Sequence, residues 1–367
     1  MSEVRLKRIL IVASHPAAGY SMQRYSSLLA KAWRDGGWVV DVFEPANVFA
    51  KALGMVSARL TKWGIYLDQF VLSALRFYVG SNRADVVCLA DHSDAVYFAL
   101  YLPPKPTIAT VHDLIAVRAA LGDIVEKWDV GRAGKFYQRL VRRGLRRAMI
   151  LVAVSRATRD DCRRVIGREA RVIPNALDPG IVPRPGRRAR GPFLLIVSSS
   201  GWRKRRDLAV RAWTHLRRTA AMQDVSLTIV GPPMTSEEKQ IVPAHLRSLI
   251  TIENSISDLR LGELYGTCTA VVLLSLYEGF GWPVVEANVH GKPALCSPIA
   301  ALTETGQGGA VYVDPKYIED RNWEEVAEAL IAIGQTDLPV RNADRFSWMH
   351  YAKSIKSLGM ELAVRTA

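Results

Sequence analysis

The residues richest in possible chemistry lie in one stretch, Ser275-Leu-Tyr-Glu278-Gly279-Phe280-Gly281-Trp-Pro283-Val-Val-Glu286. The apolar run Ala270–Leu274 leads into it and predicts a buried strand that ends in a glycine turn. Pro283 then marks a helix start, because proline at a first helical position has the right φ and gives up no needed hydrogen bond. Gly279 and Gly281 let the backbone approach a ligand closely, and a helix start behind them offers N–H groups to an anion. Glu278 falls in the turn and Glu286 about one turn into the helix, so both carboxylates can face one cleft. An ionised carboxylate only accepts hydrogen bonds, which suits it to a pair of sugar hydroxyls. The plainer alternative is a glycine turn capping an ordinary helix, with two solvated glutamates.

Two further groups could act on such a ligand. Arg203 and Lys204 stand shortly after the apolar run Phe193–Val197 and could neutralise a phosphorylated group; because Arg205 and Arg206 follow directly, a solvated basic face is the alternative. His112 and Asp113 close the run Thr107–Val111. A histidine in that place either lines a ligand cleft or is a satisfied structural residue.

These residues need strands and helices to place them. Short apolar runs alternate with helical patterns at Ile9–Ala13, Val39–Phe43, Val86–Ala90, Thr107–Val111, Ile150–Val154 and Arg171–Ile173. A second series follows at Phe193–Val197, Ser226–Val230, Ile250–Ile252, Ala270–Leu274, Pro293–Cys296 and Ala310–Val313. Several runs end in small or polar residues, such as Ser14-His15, Asp91-His92 and His112-Asp113, as parallel sheets do where ligands bind. Between the two series, Pro183-Arg-Pro-Gly-Arg-Arg188 has no apolar periodicity and reads as a linker. Two doubly wound α/β domains are the economical fold.

In its residues the central stretch resembles the Glu-x7-Glu motif of the retaining glycosyltransferases of family 4, which have the two-domain GT-B fold. The resemblance covers nearly the whole chain. Thr110-Val-His112-Asp113-Leu114 is similar to the family's His-Asp strand end, and Val154–Thr158 with Val172-Ile-Pro-Asn175-Ala to its serine strand and "IPNG" segments. Trp202-Arg203-Lys204 is similar to its "RKN" phosphate-binding start, His290–Asp314 to the stretch after the motif, and Phe346-Ser-Trp348 to the start of its last helix. The resemblance implies a first domain over residues 1–183, a linker over 184–191, a nucleotide-sugar domain over 192–345, and a last helix over 346–367 that crosses back to the first domain. It implies that Glu286 binds the ribose hydroxyls, and that Glu278 with the Gly279-Phe280-Gly281 backbone holds the donor sugar. Arg203 and Lys204 would neutralise the diphosphate, and His112 would approach the sugar from the other domain. Gly19 and Asp113 would lie on the acceptor side, and Ile252–Asp258 would flank the base. There are departures as well. The first-strand turn has the single Gly19 where the family has two glycines, and Ser198 replaces a phosphate-binding arginine found in some members.

Length and composition fit this reading and exclude others. The 367 residues suggest about two domains, and 49% hydrophobic with 23% charged residues is a globular balance, not a disordered one. The four cysteines contain no Cys-x-x-Cys pair, which argues against a disulfide framework and fits a reducing cytosol. The apolar run after Arg5, Lys7 and Arg8 is too short for a signal peptide, and no run is long enough to span a membrane. A net charge of +14 favours polyanionic partners, but no zinc-finger, RRM or basic-zipper pattern occurs, so nucleic acid is not expected. There is no Asp-x-Asp, no histidine pair at i+3 or i+4, no dinucleotide or Walker glycine loop and no nucleophile elbow. Transfer without a metal or other cofactor is the consistent expectation.

One helix adds a partner. In Lys135–Ala148 the residues Arg139, Arg142, Arg143, Arg146 and Arg147 recur on one face, with Tyr137, Leu140, Val141 and Leu145 on the other. This amphipathic pattern over Lys135–Arg147 suits either peripheral contact with anionic lipid or an ordinary surface helix covering the sheet. The expectation as a whole is a cytoplasmic enzyme, in peripheral contact with the inner face of a membrane. It would move a sugar from a nucleotide diphosphate sugar to a saccharide or lipid-linked acceptor, in cell-surface polysaccharide synthesis. A nucleotide-sugar epimerase or phosphorylase-like enzyme of the same architecture is the alternative activity, and a non-catalytic nucleic-acid or membrane binder the alternative class.

Overall fold

The computed structural model describes residues 7–14, 20–124, 130–177, 191–219, 222–322 and 344–365, with a few positions between 325 and 329. Gly19 and residues 184–190 of the expected linker lie outside the described residues. The chain divides into two compact units, Met1–Asn175 with Met349–Ala367, and Ala176–Trp348.

The first unit is built on a six-stranded sheet of β1 (Arg8–Val12), β2 (Val39–Phe43), β3 (Val86–Leu89), β4 (Thr107–Val111), β5 (Ile150–Ala153) and β6 (Arg171–Val172), in the order β2-β1-β3-β4-β5-β6. All its pairings are parallel. The second sheet holds β7 (Phe193–Val197), β8 (Ser226–Val230), β9 (Ile250–Glu253), β10 (Ala270–Leu273), β11 (Ala294–Cys296) and β12 (Ala310–Tyr312), also parallel, in the order β12-β11-β10-β7-β8-β9. Every residue of β3, β4 and β10 is buried. That is why these strands are continuous apolar runs: helices cover both faces of a parallel sheet, so no face is left for alternating polar residues. In each sheet the strand order reverses once, between β1 and β3 and between β7 and β10. At such a reversal the connections depart to opposite faces and leave a crevice at the carboxyl ends of the strands.

The last helix, Trp348–Arg365, returns to the first unit. The Tyr351 hydroxyl meets that of Tyr25 at 3.3 Å, the Lys7 ammonium donates to the Ala363 carbonyl, and Arg171 pairs with Glu361. Gly359 has to be small, since a Cβ there would come within 2.7 Å of the Trp38 ring.

The basic helix spans Arg132–Arg147 and buries Val141, Gly144 and Leu145. Gly144 lets it lie against the turn His92–Ala95, where an added Cβ would sit 1.7 Å from the Ala95 oxygen. Its arginines divide into two kinds. Arg142 and Arg146 donate to the carbonyls of Val165 and Ile166, both at 2.8 Å, and Arg147 to that of Ala99 at 2.9 Å. These three satisfy backbone acceptors at helix ends although Arg146 and Arg147 are exposed, as Arg139 and Arg143 are. The four cysteines are free and buried, and burial pushes the Cys88 thiol up to about 12.

Candidate functional site

In the second unit the expected residues converge on the strand-order reversal. Arg203 and Lys204 follow β7, and Glu278 follows β10, its neighbour in the sheet. Trp202–Lys204 forms one 3₁₀ turn, and the Arg203 carbonyl accepts from the backbone N–H of Leu276 at 2.8 Å, tying the two loops together. Arg205 next adopts a left-handed φ of 44° before the helix Arg206–Leu216 begins. A non-glycine residue there costs on the order of 1–2 kcal/mol. Ion pairs to Asp207 and Glu319 hold Arg205 in place, and the kink brings Lys204 onto Glu278.

Glu278 is the hub. Its Oε1 lies 2.6 Å from Lys204 Nζ and accepts from the Ser275 hydroxyl at 2.7 Å, while Arg203 approaches Oε2 at 3.5 Å. The Arg203 guanidinium also donates to the Tyr277 carbonyl at 3.2 Å. Burial alone would raise the Glu278 carboxyl, yet the Lys204 and Arg203 charges and the hydrogen bonds outweigh it and hold the group below its ordinary value. Glu278 is therefore ionised at neutral pH. Two cations with donors to spare stand beside an anion with lone pairs to spare.

Gly281 shows why the motif needs glycine. It takes a φ of +97° at the cap of the helix Trp282–Val289, and a Cβ there would meet Leu302 at 2.4 Å. Pro283 occupies the second position of that helix instead of the first, Trp282 taking the first. Phe280 turns its ring into the unit, against Trp282 and Phe346, each with a centroid separation of 5.5 Å, so only its backbone is left for a ligand. The Thr305 hydroxyl donates to the Phe280 carbonyl at 3.1 Å and pins the turn from behind.

Glu286 belongs to a separate set of contacts. Its Oε2 accepts from the Tyr265 hydroxyl at 2.7 Å, and the Tyr265 ring stacks on His290 at 5.6 Å. The two glutamates thus share a turn and its helix, but each has its own partners. Sequence alone assigns no role to Ser275, although it lies in the central stretch, and does not single out Tyr265. Ser275 stands three residues before Glu278 and carries a local signal; Tyr265 is 21 residues from Glu286 and only folding brings them together. Ile252–Glu253 ends β9, beside β8, and Arg260 grips Glu253 at 2.7 Å from the helix Asp258–Thr267.

In the first unit His112 lies buried at the end of β4. Its Nε2 is 2.9 Å from the Ala90 carbonyl, an acceptor only, so Nε2 carries the proton and Nδ1 the lone pair. Burial lowers its pKa below the usual value, against the pull of Asp91, so the ring is neutral at pH 7. Tyr25 meets the ring edge-on at 4.5 Å, and Tyr25 is itself bonded to Thr110 and, from the last helix, Tyr351. Asp113 has a structural task, accepting from the Ile115 N–H at 3.0 Å at the start of the next helix. Beside these, Asp91 contacts His92 Nδ1 at 3.0 Å, and buried Asp94 accepts from Gln69 at 3.0 Å.

Residues 22–180 match the family described as Glycosyltransferase Family 4, and residues 181–342 match Glycosyl transferases group 1. The chain belongs to the family 4 glycosyltransferases, with the GT-B fold. It is 27% identical over 212 residues to the MMP alpha-(1->4)-mannosyltransferase of Mycolicibacterium hassiacum, covering 54% of this chain and 50% of that protein. It is 32% identical over 89 residues to the O-antigen chain mannosyltransferase RfbU of Salmonella typhimurium, covering 24% of this chain and 25% of that one. The match therefore spans half the length of the first relative and a quarter of the second. Among solved structures, sucrose-phosphate synthase from Thermosynechococcus elongatus superposes with a TM-score of 0.73 at 17% identity, over 98% of this chain and 100% of that one.

Proposed function

We propose that this family 4 chain transfers a hexosyl group, mannosyl first among the candidates, from a nucleotide diphosphate sugar to a hydroxyl of a saccharide or lipid-linked acceptor, with retention and without a metal. The observation that carries the reading is the Lys204–Glu278–Arg203 cluster at the strand-order reversal of the second sheet. Breaking the bond from sugar C1 to the phosphate oxygen places negative charge on the leaving diphosphate. Lys204 and Arg203 are fixed where that charge develops, so they stabilise the transition state more than the ground state. They fill the role a divalent cation has in other transferases. Glu278 holds the sugar hydroxyls and Glu286 the ribose hydroxyls, and in the first unit neutral His112 offers a lone pair at Nδ1 to a hydroxyl. The acceptor oxygen bonds to C1 on the face the diphosphate leaves, and its proton passes to the departing phosphate oxygen, so no enzymic nucleophile is required. The mannosyl preference draws on what the two relatives are named for, and the acceptor class on the O-antigen relative. A cytoplasmic location with peripheral lipid contact through Lys135–Arg147 completes the reading; among the described residues no helix is long and apolar enough to cross a membrane.

The test is release of nucleotide diphosphate from GDP-mannose and UDP-glucose in EDTA, with and without oligosaccharide and lipid-linked acceptors, with the product's anomeric proton read by NMR. Acceptor-dependent release with a retained anomeric configuration is expected. Release without acceptor, together with an epimerised sugar, would mean an epimerase, and inversion would exclude the front-face mechanism.

A further inference from the structure

The first unit carries an apolar surface that sugar transfer does not use. Ala58–Leu67, a π-helical turn Asp68–Leu72 and Ser73–Arg83 run on as a single helical rod. Its inner side is firmly held. The Asp68 carboxylate accepts from the N–H groups of Val48, Phe49 and Ala50, and Phe77 packs into the core. Gly64 lies so close to the helix Phe49–Gly54 that a Cβ would come 2.5 Å from Ala50.

The outer side is different in kind. Leu60, Trp63, Leu67, Val71, Leu75 and Val79 follow one another at steps of three or four and form one exposed ridge. Trp63 and Val71 are each 58% exposed and Leu75 is 68% exposed, and the turn before the rod adds Met55 at 79% and Val56 at 75%. A water-facing helix ordinarily carries charge at these positions. Isolated apolar residues on a surface mean little, but a contiguous ridge of them marks an interaction face.

Charge says what that face meets. Residues 58–83 contain four basic residues and one acid, the buried Asp68, and the adjoining basic helix 132–147 contains seven basic residues and no acid. The two helices touch through Tyr137, whose ring lies 5.3 Å from Tyr66 and 6.1 Å from Phe70. Lys135, Phe136, Arg139 and Arg143 of that helix are exposed. A second copy of the chain docking here would set like charge against like, whereas an anionic bilayer offers hydrocarbon to the ridge and phosphates to the bases.

We propose that the 60–79 ridge is a membrane-insertion face: it enters the headgroup–acyl boundary of an anionic bilayer while Lys135, Arg139 and Arg143 hold headgroup phosphates. This deepens the membrane part of the functional reading and rests on it for the source of a lipid-linked acceptor. It also moves the inserting element from the basic helix to the rod, since three of that helix's arginines are engaged with backbone carbonyls.

Flotation with phosphatidylglycerol-containing vesicles, against pure phosphatidylcholine vesicles, is the test. The wild type should float with the anionic vesicles only. The Trp63→Glu/Leu75→Glu pair should reduce binding at least tenfold, and Arg139→Glu/Arg143→Glu should remove its salt sensitivity. Both pairs should keep nucleotide binding in solution, which shows that they fold. Failure of the wild type to float, or flotation unchanged in the ridge pair, overturns the proposal. So does a concentration-dependent dimer in sedimentation that the ridge pair abolishes. Loss of nucleotide binding in the wild type with flotation intact would instead contradict the transfer reading alone.

Discussion

At the scale of single residues, the site depends on a balance of charges that can be measured. Lys204 and Glu278 are largely buried, so removing one leaves the other's charge poorly compensated, at a cost of roughly 3 kcal/mol. Lys204→Ala should therefore lower the unfolding midpoint at pH 7, and adding Glu278→Gln should recover much of it in a double-mutant cycle followed by urea unfolding. Additive losses would mean that the pair is not coupled. The pH dependence follows from the same contact. Glu278 has a folded pKa below its ordinary 4.5, so its stabilisation is complete above 4.5 and disappears only as the pH falls through the depressed value. Glu278→Gln should flatten that part of the acid-unfolding profile. On the proposed reading, in which Glu286 binds the ribose, Tyr265 donates to that carboxylate and positions it. Tyr265→Phe removes one hydrogen bond to a carboxylate, worth about 1.5 kcal/mol, and should raise the donor KM about tenfold while leaving kcat nearly unchanged. An equal fall in kcat would place Tyr265 in the chemical step.

At the scale of elements, what could be read in the sequence depended on whether the signal was local. Most of the twelve described strands were legible because apolar runs between polar breaks have no other use in a doubly wound sheet, and the ends of all twelve differ from the structure by about one residue. The turn at Gly279–Gly281 was legible for the same local reason, and the structure supplies its steric cause. Gly281→Ala would combine a left-handed φ with a clash on Leu302, so a loss of about 1–3 kcal/mol in stability is expected, together with weaker donor binding. A variant as stable as the wild type would mean that the turn relaxes freely. The rod at 58–83 had no place in the strand-and-helix alternation, because its outer face is as apolar as its inner one and the helical period is blurred. The two roles of the basic helix were equally hidden. Periodicity placed its five arginines on one face, but only the positions of the Val165, Ile166 and Ala99 carbonyls show which three are tied down.

At the scale of the whole molecule, two similar sheets have taken on different work. In the second, the reversal between β7 and β10 gathers Arg203, Lys204 and Glu278, residues 74 to 75 apart in sequence, into one charged cluster. In the first, β3 and β4 end in a buried set of aspartates, histidines and tyrosines, and the Ala90 carbonyl just after β3 fixes the tautomer of His112. The family's order of motifs made the pairing of these sites with these sheets legible, while the contacts that tune them, Tyr265 to Glu286 and Tyr351 to Tyr25, join distant parts of the chain and leave no local trace. On the proposed reading the second unit holds a nucleotide diphosphate sugar through charged side chains, without a metal. Its most direct measurement is the thermal shift of the protein in EDTA with UDP, GDP, ADP and TDP and their common sugar conjugates. A ligand at about a hundred times its dissociation constant stabilises the fold by roughly 2.7 kcal/mol. A clear upward shift with one base, weakened by Lys204→Ala and abolished by Glu286→Ala, is expected. A flat panel, or a shift that survives both substitutions, would contradict it.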